Sequence, residues 1–258
     1  MILHSNSIGS GQPLIILHGL FGSYDNLAGI ARSLSDQWHV ISIDLPNHGQ
    51  SPHSDVMNYT SMVSDLAETL DNLNIEQCAI LGHSLGGKLA MAFALAHPGR
   101  ITALIIADIA PVSYARSHQA VFDGLKAVNT SKLSNRSEAD KQLSEHITEP
   151  GVRQFLLKSL HKTEQGFAWR FNLVALTQCY DHLLSFPEHS NAYTGPVLFI
   201  KGAQSDYILP EHRPQIMQLF PEAQAKIING AGHWLHGEKP VVFAKLVKDF
   251  LLSQHTKI

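Results

Sequence analysis

Short apolar runs alternate with segments of helical spacing along most of the chain. Pro13 to Leu17, Val40 to Ile43, Cys78 to Leu81 and Ile101 to Ala107 are hydrophobic runs of strand length, as expected where both sheet faces are covered. Between them, Asn26 to Leu34 sets Leu27, Ile30, Ala31 and Leu34 on one helical face. Met62 to Leu73 does the same with Met62, Val63, Leu66, Leu70 and Leu73. Leu85 to Ala96 is apolar nearly throughout, which predicts a helix buried on all sides. This rhythm predicts an α/β fold, a mostly parallel sheet with helices on both faces.

From Val112 to about Asn191 the rhythm breaks. Val121 to Val128, Lys141 to Ile147, Val152 to Leu160 and Phe171 to Cys179 have helical patterns, and no strand signal intervenes. Strand and helix alternation resumes with Pro196 to Ile200, a helix near Pro214 to Phe220, a strand from Ala225 to Ile228 and a last helix from Pro240 to Leu252. The reading is one domain of core residues 1–111 and 192–258, with residues 112–191 a helical cap over the carboxyl ends of the strands, where open α/β sheets bind ligands.

A chain of 258 residues with 44% hydrophobic and 16% charged residues is long enough for one substantial core without disulfides or metals. The net charge of −3 speaks against a nucleic-acid partner, which would want a basic stripe. The two cysteines, Cys78 and Cys179, read as buried thiols in a reducing compartment. Met1 to Asn6 carries no basic segment followed by an apolar one, and no apolar stretch is long enough to span a bilayer. These features predict a cytoplasmic protein without a stable membrane anchor.

Gly82-His83-Ser84-Leu85-Gly86 lies between an apolar strand and a small-residue helix, the context in which G-x-S-x-G carries meaning. Such a turn exposes the serine hydroxyl at the end of the sheet, and residues two before and two after it need almost no side chain. A serine hydroxyl is a poor nucleophile until a base takes its proton. Gly230-Ala231-Gly232-His233-Trp234, after the last strand, supplies the candidate base, His233; its place selects it from 16 histidines. No HExxH pattern or paired cysteine cluster suggests a metal, and no cofactor is implied.

His18-Gly19-Leu20-Phe21-Gly22 follows the first strand. Backbone N–H groups of Leu20 and Leu85 are the candidate donors to a developing oxyanion. Asp44 to Ser51 reads as a structural turn. Two aspartates qualify as the acid that orients the base: Asp108, at the end of the strand before the cap, and Asp206, after the strand that follows it. Chain order does not separate them.

Together these residues resemble the YbfF-type esterases, bacterial α/β hydrolases similar to abhydrolase-domain protein eleven of animals. The resemblance runs through HGLFGS with DNL (His18 to Leu27), NHGQSP (Asn47 to Pro52), GHSLGGK (Gly82 to Lys88), DIAPV (Asp108 to Val112), FLLKS (Phe155 to Ser159), WRFN (Trp169 to Asn172) and GAGHWLHGEKP (Gly230 to Pro240). It implies the α/β-hydrolase fold and carboxylesterase activity on a small acyl ester or thioester, with acyl-CoA suggested, and it favours Asp108 as the acid. In the cap, Arg116, Trp169 and Arg170 are candidate substrate contacts. The rival readings are a lyase similar to the menaquinone-pathway succinyl-hydroxy-cyclohexadiene synthase and a non-catalytic binding protein on the same scaffold. Epoxide hydrolase and dehalogenase chemistry needs an aspartate where Ser84 stands.

Overall fold

The computed structural model describes residues 1–164 and 166–255. Seven strands form the main sheet: β1 (Ser5–Ile8), β2 (Gln12–Leu17), β3 (Trp38–Ile43), β4 (Cys78–His83), β5 (Ile101–Ala107), β8 (Val197–Gly202) and β9 (Ala223–Ile228). Their spatial order is β1-β3-β2-β4-β5-β8-β9. All neighbouring pairs are parallel except β1 with β3. The apolar runs predict each of these strands but β1, whose sequence Ser-Asn-Ser-Ile is too polar to register. It sits at the edge and is half exposed, so it needs no apolar face.

Alternation within the strands splits the core between the two sheet faces. On one face, Leu14, Ile16, Val40, Leu81 and Ile105 meet α1 (Ala28–Leu34) and α11 (Pro240–His255). On the other, Ile15, Leu17, Ile41, Ile80 and Leu104 meet α2 (Tyr59–Asn72) and α3 (Leu85–Ala96). Helix α2 begins one turn earlier than its apolar repeat suggests, because Asn58 accepts the Ser61 N–H in a capping box. Helix α3 is buried on every side from Leu85 to Leu95, as its composition requires.

Between β5 and β8 the chain forms α4 (Gln119–Ala127), α5 (Arg136–Ser144), α6 (Pro150–Leu157), α7 (Leu173–Gln178) and α8 (Tyr180–Leu184). One expectation fails here. A two-stranded antiparallel sheet of β6 (Leu160–Thr163) and β7 (Gly166–Trp169) interrupts the helices, in the segment whose pattern carries no strand signal. Its strands are four residues each and mostly half exposed, too short for a period-2 signal.

The inserted segment is tied to the core by polar contacts at separate points. Tyr59 Oη donates to the Leu183 carbonyl at 2.8 Å, and Asn172 N–H donates to the Asn47 carbonyl at 2.8 Å. Lys88 Nζ, on α3, donates to the carbonyls of Leu184 and Ser185 at 2.7 and 2.8 Å. After β8 the chain continues through α9 (Arg213–Leu219), β9 and the short α10 (Leu235–Glu238) to α11. Among the described residues no helix is long and apolar enough to cross a membrane.

Candidate active site

Every candidate residue of the reacting centre sits where the parallel strands end. Ser84 follows β4 and caps α3 with φ 52° and ψ −117°, a conformation L-residues avoid. The turn is possible because its flanks are glycine. A Cβ on Gly82 would lie 2.7 Å from Gly87 Cα, and one on Gly86 would strike the Leu17 carbonyl oxygen. Ser84 N–H donates to the Ala107 carbonyl at 3.1 Å and Gly86 N–H to that of His18 at 3.1 Å, which lock the turn to β5 and to the loop after β2.

Ser84 Oγ lies 3.1 Å from His233 Nε2, and His233 Nδ1 lies 2.7 Å from Asp108 Oδ2. With Nδ1–H donating to the carboxylate, Nε2 is left to accept from the serine hydroxyl. Asp108 is completely buried, yet its charge is well served. Besides His233, Gly202 N–H donates to Oδ1 at 2.9 Å and the Ser205 hydroxyl donates to Oδ2. A buried carboxylate is tolerable only with such partners. Asp206, the other candidate acid, is exposed; its neighbour Ser205 turns inward instead. The loop after β8 therefore reaches the Asp108 carboxylate through Ser205, while Asp206 faces solvent. No pattern in the sequence marks Ser205.

Two aromatic rings pack against the His233 imidazole. Tyr207 stacks on it at 3.9 Å between centroids with planes 23° apart, and His83 approaches from 4.8 Å. His83 Nε2 donates to the His233 carbonyl at 2.9 Å. Burial holds His83 well below the usual imidazole range and pulls His118 and His236 down to about 4. These histidines around the pair are thus neutral at pH 7, which leaves the Asp108 charge as His233's immediate electrostatic partner.

Leu20 and Leu85 both border the cleft beside Ser84. Gly19 makes the approach possible: a Cβ there would lie 3.3 Å from Ser84 Cβ. The cleft is about 960 Å³, the solvent at its mouth included. Its apolar wall has Leu27, Val121, Val152, Phe155, Leu156 and Trp234. Polar groups come from Ser117, His118, Tyr180 and Tyr207.

The three candidate cap contacts are not brought to this cleft. Arg116 is on the surface, its guanidinium paired to the Asp181 carboxylate at 2.7 and 2.8 Å. Trp169 stacks on Phe171 at 5.5 Å with planes 8° apart. Arg170 uses its backbone N–H on the Ser159 carbonyl at 2.9 Å. Large apolar residues of the inserted segment divide likewise: Phe155 and Leu156 border the cleft, whereas Phe122, Leu125 and Phe171 pack into the core. Among the described residues no group of three or more His, Cys, Asp or Glu side chains is arranged to hold a metal ion.

Residues 12–240 match the family described as alpha/beta hydrolase fold, and the chain belongs to that family. Esterase YbfF of Escherichia coli (strain K12) is 41% identical over 249 residues, 96% of this chain and 94% of its own. The sn-1-specific diacylglycerol lipase ABHD11 of Mus musculus is 40% identical over 92% of this chain and 80% of its own. A solved structure described as a marine microorganism esterase superposes with a TM-score of 0.94 at 41% identity, covering 96% of this chain and 99% of that one. Within the family the chain is thus a hydrolase of the esterase kind, as its resemblance to the YbfF-type esterases implies.

Lys88 borders the cleft, and burial pulls it down to about 7. Below pH 7 it is charged in both folded and unfolded chains, and folding bears the full cost of burying the ammonium. Between pH 7 and about 10.4 the unfolded chain is protonated and the folded one is not, so stability from this group rises with pH across that window. Urea unfolding of wild type and Lys88→Met at pH 6.5 and 9.5 should show wild type gaining about 1 kcal/mol or more on the variant at the higher pH. A pH-independent difference would contradict this.

Proposed function

We propose that the chain is a serine carboxylesterase that hydrolyses acyl esters or thioesters through an acyl-enzyme on Ser84. The observation that carries the reading is the continuous hydrogen-bonded path from Ser84 Oγ through His233 to Asp108, with links of 3.1 and 2.7 Å. In this reading His233 Nε2 takes the hydroxyl proton as Ser84 Oγ bonds to the acyl carbon. The negative charge that moves onto the carbonyl oxygen is met by the N–H groups of Leu20 and Leu85. The tetrahedral adduct collapses, and His233 returns the proton to the departing alcohol or thiol. Water, deprotonated by the same nitrogen, then attacks the acyl-Ser84 carbon and releases the acid and the free serine. Asp108 fixes the imidazole tautomer and stabilises the imidazolium formed in both halves.

The apolar wall around Val152, Phe155 and Leu156 suits the acyl chain, since binding sites are mostly apolar with few polar groups. Glyceride esters, the substrate class named for the mouse relative, fall within this range. Thioesters of the same acyl groups would follow the same route with a better leaving group. The positions of Arg116 and Arg170 outside the cleft favour a neutral ester over a polyanionic thioester such as acyl-CoA, and over the lyase reading.

Steady-state kinetics on p-nitrophenyl esters test this. Ser84→Ala and His233→Ala should each lower kcat by roughly 10⁴- to 10⁶-fold, because such residues act as a unit. Asp108→Asn should cost on the order of 10²-fold or more, and exposed Asp206→Asn less than about threefold. Most activity surviving in Ser84→Ala would end the proposal. With wild type, each added acyl methylene is worth roughly 0.8 kcal/mol until the wall is filled, so kcat/KM should climb several-fold per carbon from acetyl onward. A flat profile from acetyl to octanoyl would remove the acyl assignment of that wall.

A further inference from the structure

Gly19 to Gly22 forms a tight turn closed by the Gly22 N–H on the Gly19 carbonyl at 3.1 Å. Its third residue, Phe21, has φ 62°, in the left-handed region where a turn of this kind normally carries glycine. A phenylalanine stays there only if its surroundings hold it. Both of its backbone polar groups are held by buried side chains. Phe21 N–H donates to His48 Nε2 at 3.1 Å, and the Ser159 hydroxyl donates to the Phe21 carbonyl at 2.9 Å. His48 is fixed as an acceptor because its Nδ1–H is spent on the Pro46 carbonyl at 2.8 Å.

The two holders come from different parts of the molecule. His48 is in the core loop after β3, and Ser159 is in the inserted segment, between α6 and β6. They are braced in turn. Arg170 N–H donates to the Ser159 carbonyl, and Asn172 N–H donates to the carbonyl of Asn47, next to His48. The Phe21 ring meets Phe122 and Phe171 of the inserted segment, each at 5.2 Å. The motifs HGLFG, NHG, FLLKS and WRFN, scattered from His18 to Asn172, thus converge on one backbone residue.

We propose that His48 and Ser159 are positioning residues that clamp Phe21 and thereby set the Leu20 N–H toward the acyl oxygen, so the oxyanion site is complete only when the inserted segment is seated. The inference rests on the esterase reading of Ser84. Relaxation of Phe21 to a right-handed conformation would rotate the Leu20–Phe21 peptide and disturb the turn that aims the Leu20 N–H. Preorganised donors are sensitive to such shifts, since about 1 Å of misplacement can cost on the order of 10²-fold in rate.

The test uses full-length Ser159→Ala and His48→Gln, with active sites counted by stoichiometric fluorophosphonate labelling. Per counted site, kcat should fall roughly tenfold in each while KM stays within about twofold, the pattern of an interaction made only in the transition state. A trifluoromethyl ketone, whose carbonyl carbon bonds to Ser84 Oγ and whose oxygen becomes the oxyanion, should lose affinity by the same factor. If Ser159→Ala does not fold, Ser159→Cys keeps the packing with a weaker donor, and a smaller parallel loss is expected. Unchanged kcat per site, or a rise in KM alone, would overturn the clamp and leave these residues as packing. Ser84→Ala separates the two claims: an active Ser84→Ala defeats the esterase reading. An inactive one beside a fully active Ser159→Ala defeats only the clamp.

Discussion

Between β4 and α3 the backbone reverses at Ser84 with φ 52°, and that turn fits only because Gly82, Gly86 and Gly87 let strand, helix and the loop after β2 touch backbone to backbone. The strain of a left-handed serine is of order 1–3 kcal/mol and needs surroundings that over-determine it. They do so here through a buried apolar helix on one side and hydrogen bonds to Ala107 and His18 on the other. The rest of the site depends on this reversal, because it lifts the hydroxyl to the end of the sheet, where His233 can reach it.

A second constraint is the carboxylate of Asp108, whose own side chain has no water-facing surface. Asp108 also adopts a left-handed backbone, φ 52°, and its N–H is tied to the Ile200 carbonyl of β8 at 2.8 Å. Adjacent strands β5 and β8 thus aim its carboxylate at one spot, where Gly202, Ser205 and His233 donate. Burial holds the neighbouring imidazoles of His83, His118 and His236 in the neutral form. The sheet supplies rigidity, and the loops at its carboxyl end supply the groups.

Much of this arrangement is legible in the sequence because it is written in residue types. Continuous apolar runs mark the buried parallel strands, and G-x-S-x-G marks the turn. The G-A-G-H stretch places the histidine by its order in the chain. Other features are written in geometry. Strands β1, β6 and β7 are short and half exposed, so burial imposes no pattern on them. Arginines in the inserted segment suggest substrate contact by charge alone, and charge does not reveal that Asp181 is already opposite Arg116. Asp108 and Asp206 look alike in sequence; only the fold shows that one is buried between strands and the other faces water. Ser205, His48 and Ser159 act on backbone or carboxylate partners far away in the chain, and such partnerships leave no local signature.

The inserted segment supplies Val121, Val152, Phe155 and Leu156 to the apolar wall of the cleft, and its Ser159 hydroxyl donates to the Phe21 carbonyl of a core loop. The proposed mechanism turns on whether Ser84 carries the acyl group. Mixing the enzyme with excess p-nitrophenyl ester, quenching in acid within milliseconds and measuring intact and peptide masses addresses that directly. An acyl-enzyme on Ser84 predicts a mass increase of one acyl group, located on the peptide that contains Ser84, and appearing with a burst of p-nitrophenol. Steady turnover in which rapid quench never catches the acyl group on Ser84, or finds it on another residue, would contradict it.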